Sequence, residues 1–126
     1  MIEPTPLPPA GPWQIVVADG SGNRWTIDGD GPGARWRFAP VQPSESSSGV
    51  YSGGTPGEGD LDADTTAAVW TRVRGLLGDP SVQVVDRAMG TVMVHLEVGG
   101  RTRHAIVKRG PGDEVVSLLR AGMSRL

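Results

Sequence analysis

The chain of 126 residues contains no cysteine. Disulfides, thiolate metal sites and a cysteine nucleophile are therefore excluded, and the core must hold by packing alone. A chain of this length fits a single domain and can bury a sufficient core without covalent staples. There is no basic excess: the formal net charge is −2. This argues against nucleic acid as a partner. No apolar stretch approaches the length of a membrane span, so no membrane partner is expected. The opening residues MIEPTPLPPAGP lack a basic segment followed by an apolar run. The expectation is no signal peptide and a cytoplasmic location. Lysine is nearly absent, with Lys108 beside eleven arginines. Aromatic residues are few, but Trp13, Trp25, Trp36 and Trp70 are among them. Tryptophan brings large buried area, so at least three of these should be core.

What is present reads as α+β. Residues 1–12 form a Pro-rich arm, and residues 13–126 form one domain. WQIVVA from Trp13 and RWTID from Arg24 read as paired strands around DGSGN, whose Gly and Asn suit positive φ. ARWRFAPV, from Ala34, is a third strand, with Trp36 and Phe38 on one face and Arg35 and Arg37 on the other. Residues 13–41 thus make a three-strand meander. Residues 42–60 are a long loop rich in Gly, Ser and Pro, with a possible short strand at 49–52.

Residues 61–126 then hold a helix, further strands and a final helix. The first helix spans 64–77, with Asp62 or Asp64 as N-cap, Leu61 as staple, Gly78 at C′ and Pro80 beyond. VQVVDR (82–87) reads as a strand. Residues 91–98 alternate strictly: Val92, Val94, Leu96 and Val98 share one face, Thr91, Met93, His95 and Glu97 the other. Gly99-Gly100 is a two-residue hairpin turn into Arg101–Lys108. A helix over 113–122, capped by Asp113, closes the chain. The expected fold is an antiparallel sheet of about six or seven strands built from hairpins, with two short helices packed on one face.

Several constellations could carry chemistry. GVYSGGTPGEGD (49–60) is a glycine-rich loop before a helix. A phosphate cradle needs a Lys followed by Ser or Thr at the helix start, and here the entry is DLDADTT. The loop is either a corner requiring positive φ or a recognition loop on a rigid scaffold. Glu58, Asp60, Asp62 and Asp64 imitate a calcium loop in spacing, but the central glycine and terminal glutamate are missing. With a two-residue turn, His95 lies opposite His104, with Glu97 diagonal to His104. Two imidazoles and a carboxylate are a partial zinc set. Met93 and Ile106 share that face, so a half-buried surface stripe accounts for it as well, and the pair reads as a cross-strand contact. No G-x-S-x-G elbow occurs, and nothing marks a triad or a carboxylate pair. The expectation is a non-enzymatic protein without a cofactor. Arg101 and Arg103, beside the hairpin turn, are either a solvated rim or an anion-facing surface.

The second half resembles a known family. A strand ending in Ser52-Gly53-Gly54, a capped helix, TVMVHLEVGGRTRHAIV and GDEVVSLLRAG follow one another. This order, over about residues 48–122, is similar to the emfourin (protealysin inhibitor) family of small bacterial proteins, which bind thermolysin-like zinc metallopeptidases. The motifs that carry it are SGG, GGR and a histidine in the returning strand, here His104. Residues 1–42 have no counterpart in that pattern. The resemblance implies a protein partner, a metallopeptidase, whose cleft is occluded by a rigid loop or by the arm. The implied contact residues are Tyr51, Ser52, Gly53, Gly54, Thr55, Pro56 and Arg101. The alternative is an accessory or immunity-type module with another protein partner.

Overall fold

The computed structural model describes residues 11–19, 23–31, 33–39, 57–85 and 91–124. Period-2 alternation drives the first strands, because successive side chains leave a strand on opposite faces. Strand β1 (Pro12–Ala18) sends Trp13, Ile15 and Val17 to one side, and β2 (Arg24–Asp30) sends Trp25 and Ile27 to the same side. Asp19 and Asn23 close their turn: the Asp19 carboxylate accepts from the Asn23 backbone N–H at 2.9 Å and its amide at 2.8 Å. Strand β3 (Gly33–Ala39) adds Trp36 and Phe38 to the buried side.

A fourth strand, β4 (Gly57–Leu61), pairs with β3. The meander therefore has four strands, and residues 57–60 are not loop as the sequence implied. The alternation is present but disguised, since Gly57 and Gly59 hold its inward positions before Leu61. A Cβ on Gly57 would lie 3.2 Å from the Trp36 ring, so a small residue suits this crossing.

Helix α1 (Ala63–Leu77) starts at Asp62, whose carboxylate accepts the Thr65 N–H at 2.6 Å. Val69, Trp70, Val73, Leu76 and Leu77 form its buried stripe. Its end differs from the expectation: Gly78 is the C-cap at φ −94°, not a left-handed C′ residue. Replacing Asp62 with alanine should cost about 1 kcal/mol in a urea unfolding series, and asparagine should restore most of it. A 3-10 turn (Pro80–Val82) follows, so the expected strand over 82–87 shrinks to β5 (Gln83–Val84), with 86–87 outside the described residues. Asp79 causes the turn by accepting from the Ser81 hydroxyl at 2.6 Å and backbone N–H at 3.0 Å. These bonds hold its carboxyl below the ordinary 3.8. The stability the turn gains from them is present above that pH and is lost as pH falls through the lowered value.

Strands β6 (Val92–Val98) and β7 (Arg101–Val107) form the expected hairpin. Gly99 and Gly100 have φ of +56° and +79°, the positive pair that a two-residue I′ turn requires. Helix α2 (Pro111–Ser124) begins earlier than expected. Asp113 lies inside its first turn and accepts the Gly110 N–H at 3.3 Å; Pro111 takes the first helical position, where a missing N–H costs nothing.

The seven strands form one sheet in the order β4-β3-β2-β1-β6-β7-β5, with every pairing antiparallel. The meander and the hairpin join through β1 and β6. Both helices cover one face. Trp70 meets Trp13 edge-on with ring centres 5.1 Å apart, and the Arg120 guanidinium lies 5.2 Å from the Trp25 ring centre. Val115 and Leu119 complete the core, and Arg72 joins Glu114 across the helix pair at 2.9 Å. All four tryptophans are buried.

Candidate functional site

The strand registers define what lies on the sheet's other face. The meander half carries Thr26 and Asp28 of β2, Arg35 and Arg37 of β3, and Glu58 and Asp60 of β4. These groups largely satisfy one another. Asp28 accepts from Gln14 at 2.7 Å and pairs with Arg37 at 2.9 Å, while Arg35 faces Asp60 at 3.9 Å. The other half, on β1, β6 and β7, carries Val16, Met93, His95, His104 and Ile106 in adjoining rows. Val16, Met93, His95 and Ile106 are half-buried. Val84 continues the Met93–Ile106 row onto β5. Among the described residues no helix or strand lies over this face, because α1 and α2 both pack on the opposite side.

His95 and His104 are directly opposed, as their spacing implied. Their rings lie nearly parallel, with centres 6.5 Å apart and planes 16° from each other. Glu97 shares their face. No group of three or more His, Asp or Glu among the described residues is arranged to hold a metal, so the structure brings the histidines together without making a three-ligand set of them and Glu97. The four acidic residues of 58–64 separate into different tasks: Glu58 and Asp60 on β4, Asp62 as a cap and Asp64 in the first turn of α1.

Arg101 is exposed next to the hairpin turn. Arg103 has a structural task, donating from a guanidinium N–H to the Leu77 carbonyl at 2.9 Å and so closing the end of α1. Tyr51, Ser52, Gly53, Gly54, Thr55 and Pro56 lie outside the described residues, as does the possible strand at 49–52. On the helical side, a groove of about 860 Å³ runs between α1 and α2 over Ala67, Ala68, Gly75 and Leu118. The Arg72–Glu114 pair joins the two helices that flank it.

The sequence places Met93 and Ile106 on the histidine face as a half-buried stripe, but does not add Val16 to it. The signal was in VMVHL, where both faces of one strand carry apolar residues. A strand with one solvated face should alternate more cleanly. Among the described residues no helix is long and apolar enough to cross a membrane. Comparison of the chain with protein-family models, with curated proteins and with solved structures finds no match.

Proposed function

We propose that the chain is a non-enzymatic protein-binding domain whose partner sits on the β1–β6–β7 half of the open sheet face. The observation that carries this reading is the adjoining set Val16, Met93 and Ile106 beside the stacked histidines. A contiguous apolar patch with a polar margin is the usual form of an interaction site. The meander half, with its Arg37–Asp28 and Arg35–Asp60 pairs, supplies such a margin. A rigid antiparallel sheet also holds its side chains in place before binding, which reduces the ordering cost.

The partner we propose is a thermolysin-like zinc metallopeptidase, with the domain acting as its inhibitor. The support for this choice is the SGG, helix, GGR, helix order of the second half. The exposed Arg101 at the hairpin end is one contact residue under this reading. Titrating the purified protein into such a peptidase, with a peptide substrate and excess zinc to exclude chelation, tests it. Inhibition should saturate near equimolar protein, and Ile106→Glu should weaken it by roughly tenfold or more, since it places a charge in an apolar contact. Absence of inhibition across several such enzymes would remove the peptidase from the proposal.

A further inference from the structure

Among the described residues the last lane of the sheet is only partly filled. β5 pairs with β7 at two positions, Gln83 with Val107 and Val84 with Ile106, and these are its pairs among the described residues, with 86–90 outside them. Beyond that point Arg101, Thr102, Arg103 and His104 are all exposed. The hairpin geometry says which of their backbone groups are free. A two-residue turn makes Val98 and Arg101 a hydrogen-bonded pair, so odd-numbered residues of β7 bond inward to β6. Even-numbered residues point outward. The Lys108 N–H, bonded to the Val82 carbonyl at 2.8 Å, has this parity. Thr102 and His104 therefore present their N–H and C=O groups along an edge that is open among the described residues.

Two further observations concern the same edge. Val84 and Val85 are the exposed large apolar residues of the described chain, at 38% and 90%, and they stand where β5 ends. The nine residues from Arg101 to Arg109 contain four cations and no carboxylate. None of these four belongs to an ion pair among the described residues.

We infer that this edge takes an extended acidic segment of a partner protein by strand addition, in line with β5. The inference rests on the protein-binding reading and names its mode. Backbone bonds to Thr102 and His104 would hold the segment, and alternate side chains would select it. Residues facing Arg101 and Arg103 lie on the helical side of the sheet, and carboxylates suit those positions. The intervening residues fall on the open face beside His104, next to Ile106, and apolar side chains suit them. The recognised pattern is thus acidic and apolar in alternation, with an apolar end against Val84 and Val85.

The probe is a blocked peptide of about six residues alternating glutamate and valine, titrated into the full chain labelled with nitrogen-15. The amide signals of Thr102 and His104 should shift. N-methylating the peptide nitrogens that face β7 should weaken binding roughly tenfold, while methylating the alternate set should not. Thr102→Pro should also abolish binding with the melting temperature nearly unchanged, because the lost N–H points away from β6 and proline is tolerated on such an edge. Arg101→Glu is the second variant and should weaken binding without touching the ladder. Binding indifferent to N-methylation, shifts confined to other residues, or no shift at millimolar peptide would each overturn strand addition. If a whole partner is still bound through the open face in those cases, the protein-binding reading stands and only its proposed mode falls.

Discussion

Replacing Gly29 with alanine should destabilise the domain by about 3 kcal/mol, at the upper end of what overpacking a core usually costs. A Cβ on Gly29 would lie 2.0 Å from Cε2 of Trp13 and 2.1 Å from Cζ2. The contact is between directly opposed residues of β1 and β2. Trp13 cannot turn aside cheaply. Its indole N–H donates to the Gly31 carbonyl at 2.9 Å in a buried position, and its ring packs against Trp70. The substitution must either displace that ring, leaving a buried donor unpaired, or spread the two strands. Urea unfolding checks this, with the midpoint expected to fall and the slope to stay unchanged. Gly33→Ala is the control, because the nearest atom to its added Cβ is 3.8 Å away. Equal losses in the two variants would show that the Trp13 contact is not what constrains Gly29.

Truncating Trp70 to alanine should cost about 4 kcal/mol, in the range for removing a large aromatic side chain from a core. Trp70 is 3% exposed and brings α1 onto the middle of the sheet through Trp13. Among the described residues its indole N–H has no hydrogen-bond partner, whereas that of Trp13 has one. Phenylalanine at position 70 should therefore be tolerated better than phenylalanine at position 13. A double-mutant cycle on the two tryptophans should give a coupling of about 1 kcal/mol, the value expected for an edge-to-face aromatic pair. A coupling near zero would mean that the helix is held by Val69, Val73 and Leu77 without help from this contact.

The parts of the fold legible in the sequence are those where one strong local signal acts alone. Trp36 and Phe38 alternate with Arg35 and Arg37, and β3 follows. Asp62 precedes a helical stripe and ends in Gly78, and α1 follows. Gly99-Gly100 sets a register that opposes His95 and His104. What was not legible depends on tertiary context. β4 reads as loop because glycine takes the place of apolar residues where the strand crosses Trp36. The VQVVDR segment has strong β propensity, yet Asp79, Pro80 and Ser81 claim its beginning for a 3-10 turn. Asp113 looks like an N-cap, but Pro111 is already suited to the first helical position.

The site follows the same division. The histidine pair and Arg101 could be placed from the turn. Met93 and Ile106 could be placed beside them, but Val16 could not, because it joins that face only through the β1–β6 pairing, across about eighty residues of chain. Arg103 reads as a rim charge until the end of α1 is seen beneath it, with the Leu77 carbonyl as its acceptor.

Binding of a partner to the β1–β6–β7 half of the open face would leave a footprint on named amides. The most direct measurement is an amide chemical-shift map of the nitrogen-15 labelled protein during titration with a thermolysin-like metallopeptidase. The Val16, Met93, His95 and Ile106 signals should be lost or shifted, with Ala67, Gly75 and Leu118 in the helical groove unchanged. A footprint confined to that groove, or no change at any residue, would contradict it.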